Sequence, residues 1–156
     1  MKNMKILVAY YSRTGTTRKL AQDISKALNA DIEEIIDTKN RDGVLGYMGA
    51  GRDGSTKKLT KLEPIKKDPS KYDLIILGTP VWAWAISAPI RTYITENKDK
   101  FKKVAFFITK GGSDCEKLFK EMGELAGKNP LATLELKTKE VIKGNYDLKE
   151  FSKKVK

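Results

Sequence analysis

Lys5-Ile6-Leu7-Val8-Ala9-Tyr10-Tyr11-Ser12-Arg13-Thr14-Gly15-Thr16-Thr17 runs from an unbroken apolar segment straight into a loop crowded with hydroxyls. The run Ile6–Ala9 has no polar interruption, which predicts a strand over Lys5–Tyr10 buried on both faces, as in a parallel sheet. Beyond the loop, Leu20, Ile24, Ala27 and Leu28 recur at helical spacing and predict an amphipathic helix. A buried strand, a polar loop and a helix form the first half of a βαβ unit.

The same alternation continues along the chain. Ile32–Asp37, Asp73–Gly78 and Val104–Thr109 are expected as strands, and Leu131–Ile142 is expected to hold a fifth, with alternation at Leu134 and Leu136. Between them, Ile90, Tyr93 and Ile94 share a helical face just after Pro89, a residue suited to a first turn. Leu118, Met122, Leu125 and Ala126 form another such face. Asp147 is placed to cap a last helix whose Leu148, Phe151 and Val155 face inward. Strands separated by helices imply parallel pairing through right-handed crossovers, hence an α/β fold with a three-layer, doubly wound parallel sheet. Thr38–Tyr72 is irregular, with Gly43, Gly46, Gly49, Gly51 and Gly54 close together and room for a short helix around Val44–Met48. No composition shift marks a second domain, so residues 1–156 are read as one.

Composition narrows the chemistry. The chain has 156 residues, one cysteine and no histidine. It therefore has no internal disulfide, no paired-cysteine motif and none of the usual His-based catalytic arrangements. Redox work, if any, has to be carried by a bound cofactor. The 31 basic residues exceed the 20 acidic ones, for a formal charge of +11. The lysines are scattered and no block of five like charges occurs, so a solvated basic surface is preferred to nucleic-acid binding. No run approaches a membrane span and Met1–Lys5 leads into too short an apolar run for a signal peptide, so a cytoplasmic protein without membrane or nucleic-acid partners is expected.

Ligands of open parallel sheets bind beyond the carboxyl ends of the strands, and three loops leave that edge. In the first, Ser12, Arg13, Thr14, Gly15, Thr16 and Thr17 stand before a helix whose first N–H groups lack internal partners. A phosphate there would gain hydroxyl and amide hydrogen bonds and the favourable end of the helix dipole. A simple helix cap is the competing reading, but one hydroxyl would suffice for it and four are present. The spacing of a Walker loop is absent, and so is G-x-G-x-x-G. The second loop, Thr79, Pro80, Val81, Trp82, Ala83 and Trp84, carries both tryptophans. One is expected to pack and the other to stack on a flat ring, with Trp82 favoured for stacking. The third, Thr109, Lys110, Gly111, Gly112 and Ser113, offers unhindered backbone N–H groups for a polar ring edge, or else is a plain strand-to-helix turn. Cys115 reads as a small buried residue in preference to a reactive thiol.

A phosphate, a flat ring and a polar ring edge describe FMN. Tyr11–Thr17, Gly78–Trp82 and Thr109–Ser113 together resemble the phosphate loop and the two ring-contacting loops of flavodoxins, and the resemblance covers essentially the whole chain. It implies a five-stranded sheet in the order 2-1-3-4-5 and an FMN that cycles among its three redox states. It also implies an electron carrier between redox enzymes, with no catalytic residues or metal of its own. An FMN-dependent NAD(P)H:quinone or flavin reductase is the alternative. Three features depart from the pattern. The chain is basic where flavodoxins are usually acidic, which points to redox partners with acidic docking surfaces. The third loop has no aromatic residue before Cys115. Thr79–Ser87 lacks the glycine that many relatives place beside the flavin N5.

Overall fold

The computed structural model describes residues 4–38, 59–112 and 114–156. The expected helix at Val44–Met48 lies outside them, as does Ser113. Among the described residues five parallel strands form the sheet: β1 (Ile6–Tyr10), β2 (Asp31–Glu34), β3 (Leu74–Trp82), β5 (Lys103–Lys110) and β6 (Thr133–Lys137). Their spatial order is β2-β1-β3-β5-β6, and the two-residue β4 (Ala85–Ile86) pairs only with β3. Leaving that short strand out of the count, this is the 2-1-3-4-5 order of a doubly wound sheet.

Three of the parallel connections carry a described helix: α1 (Thr16–Leu28) between β1 and β2, α2 (Ala88–Asn97) on the way from β3 to β5, and α3 (Glu116–Ala126) between β5 and β6, while α4 (Thr138–Lys143) and α5 (Lys149–Val155) follow β6. The central strands alternate between two cores, as a period of two demands. Ile75, Leu77, Val104, Phe106 and Ile108 face α2 and α3, packing with Ile90, Ile94, Leu118 and Met122. Val8, Leu74, Ile76, Ala105 and Phe107 face the other way, onto Leu20, Ile24, Phe151 and Val155. Gly78 is fixed by this packing: a Cβ on it would stand 2.0 Å from the Phe107 ring. No helix among the described residues is long and apolar enough to cross a membrane.

Two sequence expectations are corrected. The third strand does not stop at Gly78 but runs on to Trp82 and folds back as β4, with Val81 opposite Ile86 and Trp82 opposite Ala85. The second strand ends at Glu34, and Asp37 instead makes an isolated antiparallel bridge to Leu62. The fifth strand lies within the expected Leu131–Ile142, as Thr133–Lys137, and the residues after it turn into α4. Glu140 there accepts a hydrogen bond from the Lys137 backbone N–H at 3.0 Å, the reciprocal half of a capping box. Leu148 is the N-cap of α5 and has no side-chain cap, while Asp147, one residue before it, accepts from the Lys149 N–H at 2.9 Å.

Candidate functional site

The carboxyl ends of β1, β3 and β5 bring the three sequence-selected loops to one edge of the sheet. In the first, Gly15 is the N-cap of α1 with φ of 103°, a conformation open to glycine. Its carbonyl accepts the first helical bond from the Lys19 N–H at 3.0 Å, and its own N–H donates to Ser12 Oγ at 3.0 Å. No side chain caps the helix. The amides of its first turn, which have no intrahelical acceptor, therefore stay directed at the loop. Thr14 is exposed and Thr16 half-buried. Thr17 faces inward, where its hydroxyl shares a 2.8 Å hydrogen bond with that of Thr109. Both threonines are nearly inaccessible, so this bond ties the first loop to the end of β5 from beneath.

The second loop is a tight hairpin. Ala83 and Trp84 form its two-residue tip with φ of 48° and 63°, the positive-φ pair that marks a type I′ turn. At its base the buried Thr79 hydroxyl bonds to Ser87 Oγ at 2.8 Å and accepts from the Ser87 N–H at 3.1 Å. Trp82 is 4% exposed, Trp84 80%. The Trp82 indole meets the Tyr11 ring edge-on, with centroids 5.3 Å apart. Trp82, the indole favoured in the sequence for stacking, is thus the buried one that packs, and Trp84 is the exposed one. Pro80 and Val81 are half-buried along the same strand.

In the third loop Gly111 and Gly112 are exposed, neither has a positive φ, and a Cβ on either would meet nothing within 4 Å. The fold itself does not require glycine at these positions. Space is being left in front of the backbone. Lys110 is turned away from that space, its ammonium 3.0 Å from Glu135 Oε2, and its carbonyl accepts from the Thr138 hydroxyl at 3.2 Å. Glu135 also accepts from the Cys115 N–H at 3.0 Å and so fixes both ends of the turn. Cys115 is fully buried; burial, with the Glu135 carboxylate nearby, pushes its thiol up to about 12. That is the inert residue expected.

Sequence reasoning missed two carboxylates. Glu135 is one. Glu34, at the end of β2, is the other: Arg18 grips both its oxygens, through Nε and Nη2 at 2.8 Å each, and the Tyr10 hydroxyl donates to it at 2.9 Å. The Arg18 hydrogen bonds hold the Glu34 carboxyl below its usual range, while burial, followed by Glu34, raises Tyr10 to about 12. Only the parallel register, with Tyr10 opposite Glu34, brings them together, and no local sequence signal marks that pairing.

Solved structures share this fold. A flavoprotein from Lactobacillus acidophilus, solved in complex with FMN, is 25% identical over 98% of this chain and 99% of that one, with a TM-score of 0.79. A flavoprotein from Bacteroides uniformis is 26% identical over 92% and 98%, at 0.70. Two-electron reduced flavodoxin from Megasphaera elsdenii is 22% identical over 83% and 84%, at 0.52, a likeness of fold. A search of curated proteins finds no match. A family model described as flavodoxin matches residues 5–154, nearly the whole of the chain and all three loops, and on that span the chain belongs to the flavodoxin family.

Proposed function

We propose that this chain binds FMN and carries electrons between larger redox proteins. The observation that carries the proposal is the meeting, at one sheet edge, of an uncapped helix start turned by Gly15, an exposed indole on a fixed hairpin, and a glycine pair kept open without steric need. The residues fit the group. Amides of Ser12–Thr17 and the accessible hydroxyls of Thr14 and Thr16 receive the phosphate dianion, each charge-assisted bond contributing about 1.5–3 kcal/mol. Trp84 covers one face of the ring, and the backbone of Lys110–Gly112 meets its polar edge. When bound, FMN supplies the one- and two-electron chemistry that side chains without a histidine or an accessible cysteine cannot.

The role of this chain is to hold and orient that group. Thr17–Thr109 and Thr79–Ser87 fix the loops from inside, and Glu135 fixes the third turn, so little has to be ordered on binding. The likeness to an FMN-complexed flavoprotein supports the cofactor, and the basic surface supports partners with acidic docking patches.

An absorption spectrum of the purified protein, followed through a dithionite titration, tests the reading. Flavin bands at one per chain, and FMN held far more tightly than riboflavin, are the expected result. A colourless protein that does not take up FMN overturns it. Steady turnover with NAD(P)H and a quinone, without any partner protein, would replace the carrier by the reductase. Thr16→Glu would set a carboxylate against the phosphate and should cost several orders of magnitude in FMN affinity with the fold intact.

A further inference from the structure

We propose that Arg18 reads the charge of the phosphate in the Ser12–Thr17 loop, and that Glu34 and Tyr10 hold it in position to do so. The proposal rests on the FMN reading above.

The first turns of α1 contain two cations, and the structure sends them in different directions. The Lys19 ammonium lies 3.7 Å from Asp23 and 5.5 Å from the centre of the Tyr146 ring, and Tyr146 in turn donates to Asp23. Lys19 is thus drawn along the helix, away from the loop. Arg18 is drawn back. Its Nε and Nη2 are taken by the two oxygens of Glu34, a fork-to-fork pairing that fixes the plane of the guanidinium as well as its position. The third nitrogen, Nη1, is then left over the N-cap, 3.8 Å from where a Cβ of Gly15 would stand.

A cation fixed there lies beside the amides that start α1, and so near any anion they hold. Glu34 offsets the formal charge, but the planar pairing presents its positive side to the loop and its carboxylate to β2. A neutral ligand such as riboflavin gains nothing from this, whereas a phosphomonoester dianion does. Arg18 therefore contributes to discrimination by charge, beyond the hydrogen-bonding capacity of the loop. A lysine could keep the charge, but not both Glu34 bonds together with a third nitrogen at the loop.

The test is a titration of flavin-free full-length protein with FMN and, separately, with riboflavin, for wild type, R18Q and R18K. We expect R18Q to weaken FMN by about tenfold, the scale of one charge-assisted contact, and to leave riboflavin within twofold. R18K should fall between. Equal loss for both ligands would make Arg18 a structural residue, and no loss for either would remove it from the site; both results overturn the proposal. A wild type that does not prefer FMN to riboflavin would instead refute the phosphate-loop reading itself.

Discussion

Trp82 and Trp84 stand two positions apart in sequence, yet one is 4% and the other 80% exposed. Truncating them should therefore give opposite results. Trp82→Ala removes a buried ring from the contact with Tyr11 and should lower stability by about 3–5 kcal/mol. Trp84→Ala removes almost no packing, and its melting temperature should stay close to wild type. FMN affinity should respond the other way, with Trp84→Ala losing roughly 1–3 kcal/mol, the worth of a stacked ring. Melting curves and flavin titrations on both variants check this; a stable Trp82→Ala that has lost FMN would return the stacking role to Trp82. Cys115 gives a second contrast at this scale. With the thiol buried and raised to about 12, almost none is thiolate near neutral pH. A disulfide reagent at pH 8 should leave the native protein unlabelled and label one thiol per chain in denaturant. Rapid labelling of the folded protein would contradict the burial.

The β3–β4 hairpin shows how an element can carry a local cost. Its tip has Ala83 and Trp84 at positive φ, where asparagine and glycine are the usual occupants. The left-handed region costs an L-residue roughly 1–2 kcal/mol, against about 0.5–1 kcal/mol for the extra unfolded freedom of glycine. Ala83→Gly should therefore raise the melting temperature slightly, and a fall would show that the Ala83 side chain supports the turn. The same tip explains why the hairpin was not legible in sequence. Trp82-Ala83-Trp84-Ala85 contains no glycine, proline, asparagine or aspartate, so nothing punctuates the chain there. The β6–α4 boundary was hidden for a related reason, since the alternation of Leu134 and Leu136 gives way without a breaker to Val141 and Ile142 of α4. The central strands were readable because burial on both faces leaves continuous apolar runs such as Ile6–Ala9 and Leu74–Leu77. The first loop stands out in the sequence because four hydroxyls in six residues exceed any capping need. Arg18, Glu34 and Glu135 do not, because their roles depend on which strand ends lie side by side.

Over the whole molecule, charge is where this chain departs furthest from the family's usual acidity. The formal charge is +11, yet the described site is close to neutral. Arg13, Arg18 and Lys110 stand there with Glu34, Asp114 and Glu135, and Arg18–Glu34 and Lys110–Glu135 are direct pairs at 2.8 and 3.0 Å. The positive excess is thus carried by residues other than these. In an acidic flavodoxin the reduced, anionic flavin is pressed by surrounding carboxylates, which makes the second electron harder to add. Here the near field is balanced and the far field is favourable, so adding that electron should be easier. Each 1.36 kcal/mol of relief raises a one-electron potential by about 59 mV. The far field is screened within about 8–10 Å at ordinary salt, so the part owed to surface lysines should fade as salt is added, while the part owed to the balanced site should persist. Potentiometric titration of the FMN-loaded protein over a range of ionic strength separates the two. The expected second potential is less negative than in acidic flavodoxins and drifts downward with salt to a plateau that stays above theirs. A potential as low as theirs and indifferent to salt would place its control in the contacts that the hairpin and the Gly111–Gly112 turn make with the ring, leaving net charge to govern partner choice alone.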